Sequence, residues 1–317
     1  MSGLSIEDLV GRSVYILRNI DSKFDEDEVI QLCSWGKDSV CCLALVREAF
    51  TLFGKTRFPW KVVHIDTGKK FPEMYEFRDK LQKEWGFDLE VIKGEGVADP
   101  EEGRLDCCQR MKTDALKNYI KDNGIKAVIV SIRRDEHGAR NSERYMSPRY
   151  QGKWLTFDAE RWDKKIMELK EQFKGDEEGL SRAIASMQFD KSTSLQDVEL
   201  EGWGLLETDF GPEADHVRIH PLLHWDEINV WEYLRDRKIP FNPLYRADYV
   251  EKAYGLKGKR YRSLGCKCCT NPIDSSASTI DEIIEELKTT QTEERSGRQQ
   301  DKEKMYAMAN LRSMGYL

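Results

Sequence analysis

No apolar run among the 317 residues is long enough to cross a membrane, which excludes an integral helical membrane protein. The first residues, Met1-Ser2-Gly3-Leu4-Ser5, lack a basic region followed by an apolar core, so no secretory signal is expected. Internal repeats and low-complexity tracts are missing too. An excess of positive charge is also absent. The net charge of −7 argues against a large nucleic-acid footprint and leaves room only for local basic clusters. A cytoplasmic location is expected. There, eight cysteines in a long chain point to metal binding or catalysis before disulfides. With 39% hydrophobic and 34% charged residues, the chain can build one large α/β domain with an appendage, or two domains.

The segment that organises the chain is Ser34-Trp35-Gly36-Lys37-Asp38-Ser39. It separates the apolar run Val29–Cys33 from an apolar helix continuing to about Phe50. Strand, tight turn and helix make a cradle for phosphate. Backbone N–H groups and the helix dipole converge there, Gly36 permits close approach, Lys37 adds a cation, and Ser34 and Ser39 add hydroxyls. A Walker A loop is excluded, because position 31 is Gln and Asp38 follows Lys37. The turn resembles the S-x-G-x-D-S loop of N-type ATP pyrophosphatases, which cleave ATP between its α and β phosphates.

Downstream, strands and helices alternate. A helix over 4–20 precedes the turn. A strand over 60–65 ends in Asp66-Thr67-Gly68, followed by a helix from Pro72 to about Trp85 and a strand over 89–92. A helix over 109–123 and a strand over 127–131 follow, and Arg133 and Arg134 come next. The pattern predicts an α/β fold with a doubly wound, mostly parallel sheet. Residues 151–215 break the alternation with two expected helices and polar links, and are read as a helical insertion. The alternation resumes with a strand at 217–221 and helices over 227–237 and 279–289. The expected division is a nucleotide-binding core at 1–150, the insertion at 151–215, and the end of the core with a C-terminal helical and loop extension at 216–317.

Ligands of parallel sheets sit at the carboxyl ends of strands. Asp66 and Thr67 therefore share a rim with the turn, positioned for a ribose hydroxyl or for the magnesium of the phosphates; the alternative is a solvated strand end. Arg133 and Arg134, with Arg140 and Arg144, form a cluster suited to oxyanions, because guanidinium forks match sulfate and phosphate. The alternative is surface pairing with Asp135, Glu136 and Glu143. Cys107 and Cys108 are adjacent, and Cys266 and Cys269 have C-x-x-C spacing. Four thiolates from two segments hold a zinc ion or an iron–sulfur cluster, or else remain buried thiols. Cys33, Cys41 and Cys42 read as core.

Together these segments resemble the family of small, catalytic subunits of bacterial sulfate adenylyltransferases. The resemblance rests on the turn, on His64–Phe71, Glu73–Asp79, Met111-Lys112-Thr113, Arg133–Glu136 and Arg262–Cys266, and on Thr292-Glu293-Glu294-Arg295-Ser296-Gly297-Arg298. It runs from the first helix to the C-terminus, apart from the insertion. It implies the adenine-nucleotide α-hydrolase-like variant of the Rossmann fold. It also implies a reaction joining ATP and sulfate into adenosine 5′-phosphosulfate and pyrophosphate, with a GTPase large subunit as partner and part of that contact near Thr292–Arg298. On this basis Ser34, Gly36, Lys37, Asp38, Ser39, Asp66 and Thr67 bind ATP with Mg²⁺, while Lys37, Asp38, Arg133 and Arg134 carry catalysis. A homo-oligomer is compatible with the sequence. Cys107-Cys108-Gln109-Arg110-Met111-Lys112 and Gly265–Thr270 depart from that subunit and resemble adenylylsulfate reductases, where two such pairs ligate a 4Fe–4S cluster. No cysteine follows Cys269, so the reductase nucleophile is missing. The alternative is the iron–sulfur ATP pyrophosphatase of DNA phosphorothioation systems, whose partners are DNA and a cysteine desulfurase.

Overall fold

The computed structural model describes residues 4–94, 103–136, 145–150, 153–154, 167–168, 170–176, 214–290 and 294. Helix α1 (Ile6–Lys23) opens on a capping box in which Ser5 and Asp8 satisfy each other's backbone N–H groups. Its apolar stripe, including Leu9, Ile16, Leu17 and Ile20, is buried. Strand β1 (Val29–Leu32) is wholly buried, and helix α2 (Lys37–Ala49) follows the turn. A small hairpin, β2 (Thr51–Leu52) with β3 (Lys55–Thr56), leads to β4 (Lys61–Asp66). Helix α3 (Pro72–Trp85) has its proline where a missing N–H costs nothing, and ends at Gly86 in the left-handed region. Strand β5 (Leu89–Lys93), helix α4 (Arg104–Cys108) and helix α5 (Ala115–Asp122) follow. A π-helical turn, Gln109–Asp114, joins α4 to α5.

Next come β6 (Ala127–Ile129), β7 (Met146–Tyr150), β8 (Lys153–Trp154) and β9 (His216–Ile219). They build one seven-stranded sheet in the order β5-β4-β1-β6-β9-β7-β8. The first five strands of that order pair in parallel, and β7 and β8 add antiparallel edges. Both faces are covered. Val29, Ala127, Ile129, Val217 and Ile219 pack with α1, α2 and the later helices, while Ile30, Val63 and Val128 pack with Leu116 and Ile120 of α5. The predicted α/β class is the observed one. The division at residue 150 falls inside the β7–β8 hairpin: Lys153 pairs with Tyr150, so the sheet continues past that boundary. Most of the expected insertion, including all of 177–213, lies outside the described residues.

Helix α6 (Glu227–Asp236) begins at a capping box of Asp226 and Asn229. Helix α7 (Ala247–Tyr254), the two-stranded ladder of β10 (Lys259–Arg260) with β11 (Ile273–Asp274), and helix α8 (Ile280–Thr289) complete the described chain. The loop between β10 and β11 returns to the rim, where Lys267 N–H donates to the Lys69 carbonyl at 2.7 Å and Cys266 bridges Lys70. Among the described residues no helix is long and apolar enough to cross a membrane.

Candidate active site

In the sheet order, chain progression runs one way from β1 through β4 to β5 and the other way through β6 to β9. The reversal lies between β1 and β6, the position where α/β sheets open a crevice. A cavity lies there. Leu32 and Cys33 line it from β1, Val63 and Ile65 from β4, and Val130, Ser131 and Ile132 from the segment after β6. Its floor is the turn, with Ser34, Gly36, Lys37, Asp38 and Ser39 on the lining. Apolar strand ends above a polar loop suit a base and a phosphate chain, respectively.

The turn is held by contacts from far along the chain. Trp35, not Gly36, adopts the left-handed conformation, with φ of +66°. A bulky residue pays for that conformation in strain. The ring is buried, stacked on His64 at 5.8 Å and on Phe87 at 6.1 Å, and its indole N–H donates to His64 Nδ1. His64 accepts because burial, reinforced by the cations of Lys70 and Arg78, holds its pKa down to about 3. Gly36 has an ordinary φ of −81°. Its missing side chain makes room instead for Tyr245, whose hydroxyl would lie 3.3 Å from a Cβ and accepts from the Lys37 N–H at 2.9 Å. Ser39 Oγ donates to the Gly36 carbonyl at 3.0 Å and closes the turn.

Lys37 begins α2 and is 1% exposed. Its ammonium lies 3.1 Å from Asp38 Oδ2 and 3.8 Å from Glu227 Oε1, and donates to Glu294 Oε1. Burial works against that charge, but the Glu294 and Glu227 carboxylates outweigh it and hold the pKa above the usual lysine value. Arg133 is completely buried. It donates to Asp135 Oδ1 at 2.9 Å and to Glu294 Oε2, and pairs with Asp38. Asp135 in turn accepts from the Glu227 N–H at 2.8 Å, and Arg262 donates to Glu227 Oε2 at 2.8 and 3.0 Å. For Glu294, burial opposes ionisation, but Lys37 and Arg133 keep its carboxyl below the ordinary range. The result is a chain of alternating charges under the cavity.

Other expected site residues are placed differently. Arg134 approaches His224 at 2.5 Å, and His224 contacts the Tyr145 hydroxyl at 2.6 Å; neither Arg133 nor Arg134 is on the cavity lining. Asp66 and Thr67 are also off that lining. Asp66 accepts from Tyr75 Oη at 2.7 Å and from the Gly68 N–H at 2.8 Å. Burial opposes its charge, yet these bonds hold its pKa below the usual value. Thr67 Oγ1 faces Cys266 Sγ at 3.2 Å. Arg140 and Arg144 lie outside the described residues. Of Thr292–Arg298, only Glu294 is described, and it is buried on the cavity lining. Sequence reasoning assigned no site role to Glu227, Glu294, Tyr245, Lys70 or Lys112, although all but Glu227 line the cavity.

Cys107, Cys108, Cys266 and Cys269 are buried and form no disulfide, and Cys268 is exposed. The two segments converge. Burial raises Cys107, and its neighbours Cys108 and Cys266 raise it further. Burial, with Cys268, Cys266 and Cys108, pushes Cys269 up to about 12. Among the described residues, however, no group of three or more His, Cys, Asp or Glu side chains is arranged to hold a metal ion.

Residues 28–272 match the family of the phosphoadenosine phosphosulfate reductase domain. The chain is 31% identical to a Proteus mirabilis (strain HI4320) protein named sulfate adenylyltransferase subunit 2, over 98% of this chain and 97% of that protein. It is 32% identical to the protein of that name from Serratia proteamaculans (strain 568), with the same coverage. Among solved structures, a phosphoadenylyl-sulfate reductase from Candida auris in a phosphate complex superposes on 84% of this chain and 98% of that one. Its TM-score is 0.44 at 14% identity.

Proposed function

This chain belongs to the family of the phosphoadenosine phosphosulfate reductase domain, and from that premise we propose that it transfers the adenylyl group of ATP to sulfate, as subunit 2 of a sulfate adenylyltransferase. The observation that carries the reading is the Ser34–Ser39 turn, which opens α2 with Lys37 on the floor of a cavity at the sheet's reversal point. The β and γ phosphates would lie on that turn, with Mg²⁺ sharing their charge. The adenosine would lie toward the strand ends at Val63, Ile65 and Val130.

In this reaction a sulfate oxygen forms a bond to Pα while the bond from Pα to the bridging oxygen of pyrophosphate breaks. Sulfate already carries its negative charge, so no general base is required. The work of the protein is alignment and charge stabilisation. Arg133 and Arg134 are the candidate oxyanion groups, Asp66 and Thr67 the candidate ribose or magnesium groups. The product anhydride lies above the α,β bond of ATP in free energy, and no catalyst shifts an equilibrium. Useful turnover therefore needs a coupled hydrolysis. The sequence holds one phosphate cradle and no Walker A loop, so the partner would be a GTPase subunit.

The cysteine segments support a finer reading. Cys107, Cys108, Cys266 and Cys269 would hold a 4Fe–4S cluster after a local rearrangement, because they already converge but are not yet a ligand set. Such a cluster supplies a compact positive centre that keeps the thiols deprotonated. Anaerobically prepared protein is then expected to hold iron that Cys269→Ser loses and Cys268→Ser keeps. Iron-free protein with stoichiometric zinc refutes this.

The decisive experiment is pyrophosphate release from ATP by the full chain, with and without sulfate or its analogue molybdate. Release that depends on either anion is the expected result. Release that ignores both but responds to DNA or a cysteine desulfurase replaces this reading with the phosphorothioation enzyme.

A further inference from the structure

Two side-chain polar atoms of cavity-lining residues are buried and make no hydrogen bond among the described residues: Asp38 Oδ1 and Thr113 Oγ1. Asp38 pairs with Arg133, so its oxygen is accounted for. That leaves the hydroxyl of Thr113, a residue 2% exposed. A buried hydroxyl left unbonded costs free energy. In an α-helix a threonine commonly avoids that cost by donating to a carbonyl three or four residues back. Thr113 sits instead in the π-helical turn Gln109–Asp114, where it makes no such bond. That turn is pressed against the residue after β5: a Cβ on Gly94 would lie 2.5 Å from Met111 Cα and 2.8 Å from the Arg110 carbonyl oxygen. Single π-helical turns inside helices are frequent at functional sites.

The two faces of the sheet tell which part of the cavity that hydroxyl serves. The Ser34–Ser39 turn leads into α2, which packs with Val29, Ala127 and Ile129. Thr113 leads into α5, whose Leu116 and Ile120 pack on the other face. The apolar lining of the cavity belongs to that second face, because Leu32, Val130 and Ile132 share one cluster with Leu116 and Ile120. The phosphate cradle and Thr113 therefore approach the cavity from opposite faces, and Thr113 is on the side of the apolar strand ends. A purine base buries its flat faces against such a surface, but its edge still needs hydrogen-bond partners. Adenine presents both acceptor nitrogens and a donor amine there. A hydroxyl can donate or accept, so it matches either.

We propose that Thr113 is a base-binding residue: its hydroxyl hydrogen-bonds the edge of the adenine ring, and the nucleotide supplies the partner that the described chain does not. This rests on the assignment of the turn as the phosphate cradle and of the strand ends as the adenosine site. The hydroxyl then adds nothing to the stability of the free protein and acts only when the nucleotide is bound. That is the opposite of a threonine kept for a bond within the fold.

The test is calorimetric titration of the full chain with ATP and, separately, with inorganic pyrophosphate, comparing wild type with Thr113→Val, Thr113→Ala and Thr113→Ser. Thr113→Val keeps the shape of the side chain and removes the hydroxyl. It is expected to bind ATP about tenfold more weakly, the usual net contribution of one hydrogen bond, and to bind pyrophosphate as wild type does. Its urea midpoint is expected to be unchanged or higher, because an unsatisfied group has gone. A fall in that midpoint with ATP binding intact would assign the hydroxyl a bond within the fold and overturn the proposal. Thr113→Ser keeps the hydroxyl and is expected to recover most of the affinity for ATP. Thr113→Ala decides the matter if the Val variant does not fold. ATP affinity equal to wild type in the folded hydroxyl-free variants overturns the proposal. So does an equal loss for ATP and pyrophosphate, which would put the hydroxyl on the phosphates; wild-type binding of pyrophosphate then leaves the cradle assignment standing. Wild type that binds neither ligand overturns both.

Discussion

On the β1–β6 half of the rim, Lys37, Arg133 and Arg262 are buried against Asp38, Asp135, Glu227 and Glu294. On the β4–β5 half, Cys107, Cys108, Cys266 and Cys269 are buried against one another. In the first half each cation has a counter-charge, and Lys37 and Glu294 hold each other ionised despite burial, whereas burial and the adjacent Glu294 push the Glu227 carboxyl up. In the second half the neighbours are alike, so burial and the adjoining thiols make Cys107 and Cys269 harder to ionise. Burial is the same in kind; the sign of the neighbour decides its effect. Lys37 and Glu294 stay charged without any added ion, whereas burial among like neighbours favours the protonated form at Cys107 and Cys269.

The sharpest way to break this comparison is at Glu227, which serves Lys37 and Arg262 together. Glu227→Gln leaves two buried cations short of a partner and is expected to cost about 3–5 kcal/mol of stability. A fall in the urea midpoint reads it. An unchanged midpoint would mean the network is decorative. Next in size, Lys37→Ala removes the cation that starts α2. Pyrophosphate release is expected to drop about 100- to 1000-fold, the usual cost of losing one preoriented charge-stabilising group. Circular dichroism serves as the control for folding. A folded variant within about fivefold of wild type would remove the turn from the chemistry. The smallest effect concerns the thiol half. At about pH 8, iodoacetamide is expected to label exposed Cys268 well ahead of Cys269, since only thiolate reacts and Cys269 is both buried and raised to about 12. Equal rates would show that the like-neighbour effect is absent.

Much of this arrangement was readable along the chain. The strand–turn–helix at Val29–Ala49, the rim residues after β4 and β6, and the parallel alternation all follow from local periodicity and from turn chemistry. Hydrophobic pattern and capping act over a few residues, so one dimension carries them. The left-handed conformation of Trp35 was not visible in the sequence, for a physical reason. Glycine is the default at positive φ, and only packing against His64 and Phe87 lets a tryptophan take its place. The π-helical turn at Gln109–Asp114, which precedes α5 and carries Lys112 and Thr113 on the cavity lining, looks like plain helix in sequence.

Local pattern in the chain was enough to place the Ser34–Ser39 turn between β1 and α2 and to bring the ends of β1, β4 and β6 to one rim. How the charges there pair was settled by packing between distant segments. Tyr245 reaches the Lys37 N–H across a separation of 208 residues, and Glu294 reaches the Lys37 ammonium across 257. Arg133 pairs with Asp38, Asp135 and Glu294, partners that its place after β6 does not reveal. An ionised side chain in a low-dielectric interior takes the nearest opposite charge, and which charge is nearest depends on how α6 and Glu294 pack against the turn. No local pattern encodes that distance.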